Sequence, residues 1–173
     1  MRLFLDACAL AKRYLLEQES SRTMKQITGR FNHRSGLIVS SFIEVEVISA
    51  LAKYAREHPN YSGEFLRRHP VVVDQFRKDL SRDEFSIIWL DQDMVEEASE
   101  LLKRHPEYAI HAGDAVHLAT ALSVRAGLAP GEHLVFVTAD RGLERAASAE
   151  GLPTLNPLHQ GIDLLEQIIH RSN

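Results

Sequence analysis

The stretch Leu134-Val135-Phe136-Val137-Thr138-Ala139-Asp140 runs from four apolar side chains into a hydroxyl, a small residue and an acid. Four consecutive apolar residues bounded by polar ones are too few for a buried helix and read as a strand covered on both faces, as in a parallel sheet. The same pattern recurs outward from this stretch. Leu3-Phe4-Leu5 is followed directly by Asp6, Leu37-Ile38-Val39 precedes Ser40, Phe85 to Leu90 (FSIIWL) forms a longer run, and Pro153-Thr154-Leu155 reads as a short edge strand. Helical patterns fill the intervals, over residues 7–17, 21–30, 41–56, 61–68, 71–80, 92–104, 113–126, 140–150 and 159–170. Short strands alternating with longer helices predict an α/β fold, with a central, mainly parallel sheet of four to five strands flanked by helices.

Pro59, Pro70 and Pro106 each follow a histidine and push that residue away from helical geometry. Gly127, Gly131 and Gly151 stand where helices should stop. Residues 57–84 exceed what a crossover needs. They are expected to form a helical excursion, a hairpin of two short helices that serves dimerisation or substrate binding.

With 173 residues, 45% apolar and 25% charged, the chain can bury a core without covalent staples, and at about 150 residues per domain it reads as one domain, 1–173. Disordered, collagen-like and disulfide-rich classes are excluded. Cys8 is the single cysteine, so no intramolecular disulfide forms and the cytoplasm is the expected location. Asp6 interrupts the apolar N-terminus, and no window reaches the roughly 18 to 20 apolar residues of a membrane span. The net charge of −4 does not by itself advertise a nucleic-acid partner. Its distribution is uneven: residues 10–34 carry +4 and residues 53–82 carry +3, leaving −11 elsewhere. Basic segments of this kind either follow a phosphate backbone or form solvated helix faces.

Certain acids fall at strand ends. Asp6 directly follows the first strand and Asp140 comes three residues after Val137. In an open parallel sheet, ligands bind outside the carboxyl ends of the strands, where acids distant in sequence converge. Such convergence is costly unless a cation or proton neutralises it. Asp114 opens the apolar helix GDAVHLATALSVRAG (113–127), and Glu44 and Glu46 lie on FIEVEVISALAKY (42–54). Asp6, Asp114 and Asp140 also stand at helix starts, where an Asp caps free backbone N–H groups for about 1 kcal/mol. Glu44 and Glu46 both flank an apolar stripe, and periodicity does not choose between them.

Four motifs together are more specific: FLDACAL (4–10), SSFIEVEVISAL (40–51), GDAVHLATAL (113–122) and FVTADRGLERAA (136–147), in that order. Over nearly the whole chain they resemble the PIN-domain ribonucleases, and most of all the VapC-type toxins of bacterial and archaeal toxin–antitoxin pairs. The resemblance implies a PIN-like fold and a catalytic, metal-ligating set of Asp6, Glu46, Asp114 and Asp140. Glu46 takes the helix position because the family places a Ser six residues earlier, here Ser40, and a small-apolar pair soon after, here Ala50-Leu51. Glu44 then stands where the family usually has a neutral residue. Cys8 replaces the usual Ser or Thr two residues after the first Asp and is expected to be a small buried filler.

Four carboxylates without a second thiol suit a hard cation, Mg²⁺ with Mn²⁺ as a substitute. Such an ion positions a water, lowers its pKa and stabilises charge on a scissile phosphate. Asp6 and Asp140 are expected as direct ligands, with Glu46 and Asp114 binding directly or through water and orienting the nucleophile. The resemblance further implies an RNA substrate, a cognate antitoxin whose Arg enters the acidic pocket, and a homodimer. None of the nine histidines shows zinc-ligand spacing. His58, His69 and His105 are expected to be exposed in His-Pro turns, while His117, three residues beyond Asp114, either reaches that acid or packs.

Two other readings stay open. One is a PIN-fold RNA-processing or RNA-binding protein outside any toxin system. The other is a phosphoacceptor signalling domain, which wants paired acids after its first strand and a late strand-end Lys; this chain has a lone Asp6 and no Lys after Lys103. Dinucleotide, P-loop and serine-hydrolase motifs are absent. Once the four acids are set aside the remaining charge is zero, so the acidic balance is partly a signature of the site itself.

Overall fold

The computed structural model describes residues 1–15, 19–31, 36–57, 59–82 and 84–159, and of residues 59–68 the backbone alone. The strand Arg2–Leu5 (β1) is followed by helices Ala7–Tyr14 (α1) and Glu19–Arg30 (α2), then strand Leu37–Ser40 (β2). Helices Ile43–Glu57 (α3) and Pro59–Ser81 (α4) lead to Ser86–Ile88 (β3). Next come Gln92–Arg104 (α5), a 3-10 turn at Pro106–Tyr108 and Ala112–Ala126 (α6). Leu134–Val137 (β4), Arg141–Ala149 (α7) and Thr154–Leu155 (β5) complete the order.

The five strands form one parallel sheet in the order β3-β2-β1-β4-β5, as expected for an α/β fold. Register aligns Leu5 with Val137 and Ser40 with Ile88, so the carboxyl ends of the strands form one rim. Alternate residues of a strand point to opposite faces, and both faces are covered. Leu3, Leu5, Val39, Val135 and Val137 pack toward α1 to α4, while Phe4, Ile38, Leu134 and Phe136 pack toward α5 to α7. Phe4 and Phe136 stack with centroids 5.6 Å apart. The chain steps from β1 outward through β2 and β3, then returns to β4 on the other side of β1. This reversal makes the β1/β4 rim the switch point, where an open α/β sheet leaves a crevice.

The structure corrects three expectations. Residues 57–84 do not form a hairpin of two short helices: α4 is continuous through 23 residues with Pro70 inside it. Pro70 removes one backbone donor, but Val73 and Phe76 are buried and Leu80 partly so, at spacings of three and four that pin the helix against the core. Tyr14 adds an edge-to-face contact with Phe76 and donates its hydroxyl to Asp79 at 2.9 Å. FSIIWL contributes only three residues to the sheet's outer strand, and Trp89, just past the end of β3, is 78% exposed. His105 is buried, not exposed, and its Nε2 meets Glu150 Oε1 at 2.6 Å. The helix expected over 159–170 falls almost wholly outside the described residues, as does His58. Among the described residues no helix is long and apolar enough to cross a membrane.

Candidate active site

Asp6 leaves β1 at the switch point and is 1% exposed. Its backbone N–H still belongs to the sheet, donating to the Val137 carbonyl at 3.1 Å. Its side chain caps α1: Oδ1 accepts from the Ala9 N–H at 2.7 Å, while Oδ2 accepts from the Thr138 hydroxyl at 2.8 Å. The same Thr138 oxygen accepts from the Asp140 N–H at 3.0 Å. One hydroxyl thus joins the acid after β1 to the acid after β4 across 132 positions of sequence. Asp140 caps α7 through Leu143 N–H at 2.8 Å, and Asp114 accepts from the His111 N–H at 2.8 Å at the start of α6. All three aspartates therefore keep the hydrogen-bonding role of acids at helix starts.

The acids feel one another. Burial is the largest effect on Asp6, and the charges of Asp114 and Asp140 add to it; against the Ala9 and Thr138 hydrogen bonds they push its carboxyl up to about 7. Burial and then Asp140 raise Asp114, and burial and then Asp114 raise Glu46. Glu46 also lies against Gly113: a methyl group at 113 would stand 3.0 Å from its carboxyl. Glu44, its neighbour in sequence, points elsewhere and accepts from Arg77 Nε at 2.8 Å. The structure thus separates two glutamates that periodicity left equivalent.

Among the described residues no three His, Cys, Asp or Glu side chains are gathered closely enough to close around one ion. The donor chemistry nevertheless fits a hard divalent cation, for it is all carboxylate oxygen, and the raised proton affinity of Asp6, Asp114 and Glu46, due first to burial and then to neighbouring acids, is a cost that positive charge would relieve. Cys8, expected as a buried filler, is exposed. It sits two residues after the α1 cap Asp6, where local desolvation of its thiol, followed by the charges of Asp6, Asp114, Asp140 and Glu46, pushes it up to about 12. A neutral thiol of this kind offers no soft ligand.

His117 does not reach Asp114. Its Nδ1 pairs with Ser40 Oγ at 2.9 Å, both residues are buried, and burial lowers the imidazole to about 4. The pair ties the end of β2, from which α3 and Glu46 start, to α6, which carries Asp114. Sequence reading brought Ser40 and Thr138 into view as nearby hydroxyls but not these bonds. The signal available was spacing: a Thr two residues before an Asp at a strand end can hydrogen-bond its own downstream backbone.

The model of the PIN domain family matches residues 3–149. Solved structures of similar fold include the sarcin-ricin loop cleaving toxin VapC20 of Mycobacterium tuberculosis, at 18% identity and TM-score 0.60, covering 90% of this chain and 99% of that one. A toxin–antitoxin complex from Klebsiella pneumoniae aligns at 22% identity and TM-score 0.52, over 91% of this chain and 98% of that one. VapBC2 from Rickettsia felis, bound to a DNA fragment from its promoter, aligns at 12% identity and TM-score 0.55, over 90% and 98%. At these identities the likeness is one of fold. No curated protein matches by sequence.

Proposed function

Because the chain belongs to the PIN-domain family, a family of nucleases, we propose that it is a metal-dependent ribonuclease that hydrolyses RNA phosphodiester bonds, and the toxin of a type II toxin–antitoxin pair. What supports this reading is that Asp6, Glu46 and Asp114 are raised first by burial and then in part by another acid of the proposed set, which Asp140 completes. When bound there, Mg²⁺ or Mn²⁺ would supply a water of lowered pKa and positive charge against the scissile phosphate. Asp6 and Asp140 would hold the ion from the strand ends, kept in place by Thr138. Glu46 and Asp114, on facing helices, would complete the hold and accept the proton of the attacking water. The apolar wall of Phe4, Ile38 and Phe136 beneath the rim keeps the carboxyls poorly solvated, which disfavours their bare charge and would strengthen their attraction to a bound cation.

The toxin part of the reading draws on the fold neighbours, one of them a toxin–antitoxin complex. A cognate antitoxin and a second copy of the chain are the proposed protein partners. The open β3 edge, with Ile87 and Trp89 exposed, supports association, since uncovered edges and apolar side chains are sites of pairing. The test is to induce the gene in a bacterial host with and without its neighbouring reading frame and to map new RNA ends. Growth arrest with discrete new ends, both abolished by Asp6→Asn and suppressed by the neighbour, is expected. Arrest that persists in Asp6→Asn would refute the nuclease mechanism.

A further inference from the structure

Beside the four acids lies a cavity of about 600 Å³ between the 106–108 turn and α7, lined by Tyr108, Arg141, Glu144, Arg145, Ser148 and Ala149. It adjoins the candidate site through the first turn of α7, since Arg141 directly follows Asp140. Arg145 stands one turn further along the same helix face, and both guanidinium groups are exposed. Like charges four residues apart repel, and among the described residues neither forms an ion pair with an acid. Arg141 donates to His159 Nε2 at 3.1 Å, a neutralising partner for neither. Glu144 instead accepts from Asn156 Nδ2 at 2.9 Å.

The opposite wall is built to hold an aromatic ring. Tyr108 stacks on His105 with centroids 5.5 Å apart, and His105 is itself held by Glu150. Ala109 adopts a left-handed φ of +53° to close the turn, a conformation that disfavours a residue with a Cβ. The Tyr108 carbonyl rests over Gly142, where any added methyl group would overlap it. In the two basic segments Arg13 pairs with Asp79 and Glu84, Lys53 with Glu57 and Arg77 with Glu44, while Arg22 and Lys25 are exposed on α2 with no aromatic residue in that helix. Exposed cations beside a fixed aromatic ring are the elements that bind single-stranded nucleic acid, the former on phosphates and the latter under a base.

We propose that this cavity is the subsite for the single-stranded RNA segment flanking the scissile phosphate, with Arg141 and Arg145 on backbone phosphates and Tyr108 under a base. It rests on the ribonuclease reading above and names where that substrate is gripped. The test is fluorescence anisotropy of a labelled, mixed-sequence single-stranded RNA with the full chain over a range of salt, alongside cleavage of the same RNA with Mn²⁺. Arg141→Gln/Arg145→Gln is expected to bind roughly tenfold more weakly, with a salt slope shallower by about 1.4, the value for two phosphates of a single strand. Tyr108→Leu should weaken binding by roughly tenfold with the slope unchanged, and Tyr108→Phe should bind like the wild type. Arg22→Gln/Lys25→Gln, which removes two exposed charges from α2, should keep most of the affinity. Equal losses in the two double variants, or none in either, overturn the subsite while a binding, cutting wild type leaves the nuclease reading intact. Loss of antitoxin capture with RNA affinity retained assigns the cavity to protein and also overturns it. A wild type that neither binds nor cuts RNA overturns both.

Discussion

The ends of β1 and β4 hold their acids differently from the helices that face them. Asp6 and Asp140 are locked by backbone N–H groups and joined through one Thr138 hydroxyl. Asp114 accepts a single backbone hydrogen bond at the start of α6, and Glu46 accepts none among the described residues, resting instead in the space left by Gly113. The sheet would therefore supply a fixed half of the proposed site and the helices a half that adjusts. Preorganised groups matter most where charge develops, whereas adjustable ones set how well the remainder closes.

Substitution on the fixed half should have the largest effect. Asp6→Asn keeps the shape and the α1 cap but removes the most buried charge, and RNA cleavage is expected to fall by roughly 10³-fold in a gel assay with a cooperative melt retained. Thr138→Val takes away the hydroxyl that joins the two strand ends and leaves the Asp140 N–H without its acceptor. Activity should drop on the order of 10² and stability by about 1 to 3 kcal/mol in urea titrations, with Thr138→Ser restoring both. On the adjustable half, Gly113→Ala inserts a methyl group against the far end of the Glu46 side chain, which can swing away. About a tenfold loss of cleavage with an unchanged or slightly raised Tm is expected; a drop in Tm with activity intact would show that Glu46 is structural.

The smallest effect is on stability against pH. The Asp6 carboxyl is raised from 3.8 to about 7, so its contribution to stability is fully present below pH 4 and is lost as pH rises through about 7. His117 works the other way, being lowered from 6.5 to about 4, and its contribution is lost as pH falls through about 4. The difference between wild type and Asp6→Asn isolates the first. In chelator, Asp6→Asn should melt higher than wild type at pH 8, on the order of 5 °C, with the gain vanishing toward pH 4. A difference independent of pH would mean that Asp6 is not held in the raised state.

Strand positions and the placement of the three aspartates were legible because both follow local rules: short apolar runs, and acids at helix starts, two of them just after strands. The choice of Glu46 over Glu44 was not legible from periodicity, for both flank the same stripe and only the approach of α6 and of Arg77 distinguishes them. Pro70 misled because the local cost of a proline was outweighed by the burial of Val73 and Phe76, which depends on tertiary packing. His105 misled for the same reason, its pairing with Glu150 spanning 45 residues. Trp89 lies just past the end of the outer strand β3, and the order of strands in a sheet is not written in any one of them.

Cleavage of a structured RNA by metal-stripped protein, measured across pH with Mn²⁺ or Mg²⁺ restored, tests the metal-dependent site most directly. The four-carboxylate site predicts no cleavage in excess chelator and recovery on adding metal. It also predicts an apparent metal affinity that strengthens as pH rises through about 7, because the ion competes with the proton on Asp6. Equal cleavage in chelator, or recovery by metal in Asp6→Asn to the wild-type level, would contradict it.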